Sequence, residues 1–187
     1  NFIQDGGSRL PVTNIPRRQQ LFSIWIRPVP HHNAHFALRQ AIRELEVLVN
    51  EGLTETEFDA SREFLLNYSK LYVQTTSRRL GYHMDSAVYG TAYFIDEIQR
   101  RLPSLTVTDV NDAIRRYLQS DNLAIAIVTS DATAFRDRLV ANEPSPPTYN
   151  AKVSSEIQAE DLLITSYDLA INPDRMRVVP VGQMFRR

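Results

Sequence analysis

The 187 residues carry 21 Lys and Arg against 22 Asp and Glu, a net charge of -1, and are 43% apolar and 23% charged. That near-balance leaves no basic footprint for nucleic acid or an anionic membrane surface. There is no run of roughly 18 apolar residues to cross a bilayer. Cysteine is absent, which excludes disulfides and thiolate metal sites without identifying a compartment. The opening residues have neither an initiator Met nor the charged-then-apolar layout of a signal peptide, so an interior stretch of a longer chain is expected.

Taken in chain order, residues 1–20 are rich in Gly, Pro, Asn and Arg and read as an irregular lead-in. Leu21 to Val29 reads as a strand, with Phe22, Ile24 and Ile26 on one face and Ser23, Trp25 and Arg27 on the other, closed by Pro28 and Pro30. A helix is expected over about Asn33 to Asn50, because Leu38, Ala41, Ile42, Leu45, Leu48 and Val49 recur at helical spacing and Gly52 supplies a stop. Thr54 with Glu57 is a capping box that opens a second helix through about Gln74. Residues 77–101 read as two short helical pieces interrupted at Gly90.

The clearest unit is LTVTDVNDAIRRYLQSDNLAIAIVTSD, from Leu105 to Asp131. Thr106 and Asp109 form a helix start, and Val110, Ala113, Ile114, Tyr117 and Leu118 form an apolar stripe. Asp121 and Asn122 break the helix, and Leu123 to Val128 reads as a buried strand. A helix follows near Ala132 to Ala141. The tail from residue 144 holds Pro144, Pro146 and Pro147, the acidic segment SSEIQAED and a final short strand, Arg177 to Val181. This order predicts an α+β fold: a small, mainly antiparallel sheet with helices on one face. The core is expected over 21–143, with the tail 144–187 packed on the same domain.

The succession LFSIWIRPVP, NEGLTETEFDASREFLLNY, RRLGYHMDSAVYG, LTVTDVNDAIRRYL and NLAIAIVTSDA resembles the C-terminal, non-zinc half of the M16 (pitrilysin/insulinase/processing-peptidase-like) zinc metallopeptidases. The resemblance spans about residues 20–185. It implies the LuxS/MPP-like half-domain architecture, incomplete at its N-terminal end. In that family two α+β halves close around a peptide, and the other half carries an inverted His-x-x-Glu-His zinc motif. What the resemblance implies here is therefore a non-catalytic portion that forms substrate-chamber wall and the interface to the zinc-bearing half. The alternative is a catalytically silent homologue acting as an assembly partner. No cofactor is expected in this chain, with zinc held by the complete parent or a partner subunit. The implied partners are that zinc-bearing half, a peptide substrate and, through an open sheet edge, a second copy of the chain. Bacterial members of the family suggest a periplasmic location.

Two features depart from the family pattern. The nearest string to the zinc motif is His31-His32-Asn33-Ala34-His35, with Ala34 at the Glu position, so a bound metal would lack the carboxylate that takes a proton from its water. These three histidines read as solvated residues at a helix entry. No Arg is followed by Tyr seven positions later, the pair that contacts substrate in the family. The chain alone is therefore expected not to hydrolyse peptides, and no catalytic or metal residue is assigned. Ser23, Trp25 and Arg27 are the candidate substrate-chamber residues, because a large aromatic and an Arg on an open sheet face are residue types enriched at contact surfaces. His83 with Ser86, and Asp85 with Tyr82 and Tyr89, read as structural groups. Gly6-Gly7 lacks the context of a phosphate loop, and Arg17-Arg18 and Arg78-Arg79 read as surface pairs.

Overall fold

The computed structural model describes residues 2–4 and 22–184. Its chain divides into two compact units: the first comprises Asn1–Val47 and Gln119–Arg187, and the second Leu48–Leu118. The first unit opens with β1 (Phe2–Gln4) and β2 (Ile24–Ile26), paired antiparallel with Phe2 opposite Ile26 and Gln4 opposite Ile24. A 3-10 turn at His31–Asn33 leads into α1 (Ala34–Glu51), which carries the chain across the division between the units.

The amphipathic stripe of α1 buries Leu38 and Ile42 against Phe135 and Leu139 of a later helix in the same unit, α6 (Ala132–Val140). Ala34, Leu169, Ile171 and Met176 pack around this cluster. α6 forms where it does because Asp131 caps it, accepting from the Ala134 amide at 2.9 Å. The final helix, α7 (Ser155–Thr165), is capped by Ser154 and buries Ile164 to 1% exposure.

In the second unit, α2 (Glu55–Tyr68) starts at a complete capping box. The Thr54 hydroxyl accepts from the Glu57 amide, and the Glu57 carboxylate accepts from the Thr54 amide at 2.9 Å. Those bonds hold the Glu57 carboxyl below its ordinary range, the backbone bond from Thr54 first and the hydroxyl bond second. Thr54→Ala removes the cap and is expected to lower the stability of this unit by about 1 kcal/mol in a urea titration. α3 (Thr76–Tyr89) ends at Gly90, whose φ of 62° is the left-handed stop that glycine takes without a Cβ clash. Next come α4 (Phe94–Arg101) and α5 (Val107–Tyr117), the latter opened by a second capping box at Thr106 and Asp109. Gln99 of α4 donates to the Leu66 carbonyl at 3.1 Å and the Ser69 hydroxyl at 2.7 Å, which ties α4 to the end of α2. Phe58, Ile95 and Ile114 are the buried apolar residues of α2, α4 and α5.

The expected α+β sheet is overturned. Seven α-helices make up most of the described residues, and the β structure among them is one pair of three-residue strands, too short to form a layer. The strand expected over 21–29 narrows to Ile24–Ile26. Leu123 to Val128 and Arg177 to Val181 form no strand, and Val181 instead opens a 3-10 turn, Val181–Gln183. The physical reason is that a strand is completed by the amides and carbonyls of a neighbour, whatever its own apolarity. Neither run meets such a neighbour among the described residues. The acidic segment SSEIQAED, assigned to no element above, supplies the Ser154 cap and the first seven residues of α7, Ser155 to Asp161. The lead-in expected over 1–20 contains β1; its other residues, with Gly6-Gly7 and Arg17-Arg18, lie outside the described residues. No described helix is long and apolar enough to cross a membrane.

Candidate functional site

Ser23, Trp25 and Arg27 lie on and beside β2. Trp25 is 53% exposed, Arg27 is exposed and Ser23 is half-buried. The opposite face does not form the expected core contact: Phe22, Ile24 and Ile26 are exposed as well. β2 therefore presents apolar side chains on both faces, rather than an inner face and an outer one.

Leu123 to Val128 repeats this pattern on a larger scale. All six residues, Leu-Ala-Ile-Ala-Ile-Val, are exposed, and Val128 reaches 92%. A continuous apolar, uncharged, proline-free run without a paired edge is a template for strand addition.

The histidine string separates into three environments. His31 Nδ1 shares a 3.1 Å hydrogen bond with the Thr129 hydroxyl, and His32 is exposed. Asn33 pairs with the backbone of Thr148 in both directions, donating to its carbonyl at 3.0 Å and accepting from its amide at 2.9 Å. His35 corrects the expectation of a solvated residue. It is 1% exposed, its ring meets that of Phe135 edge-on with centroids 4.0 Å apart, and both ring nitrogens lack a hydrogen-bond partner. The described residues contain no group of three or more His, Asp or Glu arranged to hold a metal.

One helical turn beyond His35 lies Arg39, which is fully buried. Its Nη1 donates to the Glu143 carbonyl at 2.8 Å, to the Ser145 hydroxyl at 2.7 Å and to the Thr165 carbonyl at 2.7 Å, and its Nη2 donates to Asn142 Oδ1 at 2.7 Å. The planar fork of guanidinium is suited to such divergent acceptors. Asn142 serves twice, since its φ of 48° suits Asn better than most side chains and its amide oxygen accepts from Arg39. A second long-range tie joins α1 to the residues after α7, where the Tyr167 hydroxyl donates to the Glu46 carboxylate. That bond is the leading cause of a Tyr167 hydroxyl pushed up to about 12.

Arg39, which no sequence motif singles out, and His35, expected in solvent, are the chemically unusual residues of the first unit. Their signal was a charged residue and an imidazole at i and i+4, set among the buried positions of the α1 stripe. Elsewhere, His83 stacks on Tyr93 with centroids 4.0 Å apart, which is a packing contact. Arg78 and Arg79 are exposed, in keeping with surface pairs.

Comparison with family models, with curated proteins and with solved structures gives no match for this chain.

Proposed function

We propose that this chain is a non-catalytic component of an M16-like zinc peptidase, which lines the substrate chamber and binds the zinc-bearing half of the enzyme. The observation that carries the reading is the exposed run Leu123 to Val128, a strand-forming sequence whose edges are unpaired among the described residues. Such a run gains most from a neighbour that supplies a strand, whether from the zinc-bearing half or from a second copy of the chain. The order of the five sequence blocks adds the family resemblance. On this reading peptide hydrolysis belongs to the assembled enzyme. In that assembly zinc would be held by the partner's His-x-x-Glu-His and would supply an activated water, while the exposed Trp25 and Arg27 of this chain contribute to the wall that confines the peptide. A catalytically silent M16 homologue with an assembly role is the second reading, because the His31 to His35 string has Ala34 where a general base would stand.

The deciding experiment measures bound zinc, peptide hydrolysis and sedimentation for the chain alone and mixed with an M16 half bearing His-x-x-Glu-His. The expected result is no turnover by the chain alone and zinc-dependent turnover by a sedimenting complex. A complex without turnover favours the silent partner. Failure to form any complex, or hydrolysis by the chain alone, overturns the proposal.

A further inference from the structure

The first unit places an imidazole where a proton has no acceptor. His35 is sealed between α1 and α6 against Phe135, and neither ring nitrogen has a partner. The groups acting on it are His31 from the preceding 3-10 turn, Arg39 from its own helix, Arg138 from α6 and Glu143 from the segment after α6. Only Glu143 favours a charged ring, and its carboxylate is already engaged by Arg138 Nε at 3.0 Å. Asp168, beyond α7, acts on the neighbouring Arg39. The Glu143 carbonyl and Ser145 hydroxyl that Arg39 grips belong to the same segment, which is joined to the end of α7 by the Ser145 amide bond to the Thr165 carbonyl at 3.0 Å.

We propose that His35 is an acid-operated release, whose protonation frees the Asn142 to Ser145 strap and the end of α7 from α1 and, once the Arg39 clamp on both is lost, from each other. A protonated ring would carry two N–H donors into a pocket without acceptors, beside two guanidinium groups. Its way to water is to part α1 from α6 and the strap. Parting them uncovers the cluster of Leu38, Ile42, Phe135 and Leu139, so acid would expose a new apolar surface on this unit.

Burial is the leading cause that lowers His35 to about 4, followed by the charges of Arg138, Arg39 and His31. The sign follows from linkage: a folded value below the ordinary 6.5 gives stability that is full above about pH 6.5 and is lost as pH falls toward about 4. Each pH unit inside that window costs about tenfold in the opening equilibrium.

The test is amide hydrogen exchange on the whole chain at about pH 7 and about pH 5, corrected for the chemical exchange rate. Protection of the Ser145 amide is expected to fall about 20-fold at the lower pH. His35→Gln should flatten that loss, whereas the exposed-site control His32→Gln should leave it intact. NMR titration of the wild-type His35 ring keeps the test independent of the variant's folding. Protonation is expected only as Ser145 loses protection. A ring that titrates near 6.5 with Ser145 still protected, or an unchanged pH response in His35→Gln, overturns the proposal.

Discussion

Arg39→Met is expected to destabilise the first unit by about 3–5 kcal/mol, because it leaves several buried or part-buried acceptors unsatisfied at about 1–3 kcal/mol each. Methionine fills much of the volume of the Arg stem but offers no donor. The substitution therefore strands the Glu143 and Thr165 carbonyls, the Ser145 hydroxyl and the Asn142 amide oxygen together. These acceptors come from the α6 exit and the last turn of α7, so one side chain fastens two distant stretches to α1. Arg39→Lys retains the charge yet places a single nitrogen where a fork served four acceptors, and should recover only part of the loss. Urea unfolding followed by tryptophan fluorescence reads the first unit, because Trp25 lies in it and is the chain's one Trp. A loss below about 1 kcal/mol for Arg39→Met would mean that water replaces the guanidinium without cost, contrary to the burial of this side chain.

The same network shows where reading from sequence stops. The helix stripe of α1 and both capping boxes were legible because their causes lie within a turn or two of one another: Thr54 with Glu57, Thr106 with Asp109, Leu38 with Ile42. The partners of Arg39 lie more than 100 residues away in the chain, so periodicity marks the position as unusual without naming what receives its protons. Leu123 to Val128 failed for a related reason. Its apolar run identifies a segment able to form a strand, but strand formation depends on an edge supplied from elsewhere. α7 escapes periodicity because Ile157, Leu162, Leu163 and Ile164 do not lie on one stripe, and Leu162 and Leu163 are exposed. Of the candidate site, alternation separated Ser23, Trp25 and Arg27 from Phe22, Ile24 and Ile26, but the exposure of the second set leaves β2 without the inner face that alternation implies. The burial of His35 was hidden because Phe135, which covers it, lies on a helix far along the chain.

In the second unit, the largest expected effect comes from a glycine. Gly52 has φ +76°, and a Cβ added there would come within 2.7 Å of Asn111 Oδ1. Asn111 cannot simply swing aside, because its amide pairs with both backbone groups of Leu53, accepting from the amide at 2.8 Å and donating to the carbonyl at 2.9 Å. Gly52→Ala therefore combines a left-handed backbone without glycine, costing about 1–2 kcal/mol, with a forced break in this pairing, costing roughly another 1–3 kcal/mol. Asn111→Ala loses the pairing alone and should cost about 1–3 kcal/mol. The informative comparison is the double substitution. Once Asn111 is truncated, the added Cβ has nothing to strike, so the pair should cost less than the sum of the singles by about 1 kcal/mol or more. Thermal unfolding monitored by circular dichroism on all three variants measures that difference. Strict additivity would show that the cost at Gly52 is backbone strain alone and that Asn111 holds Leu53 independently of the space the glycine leaves.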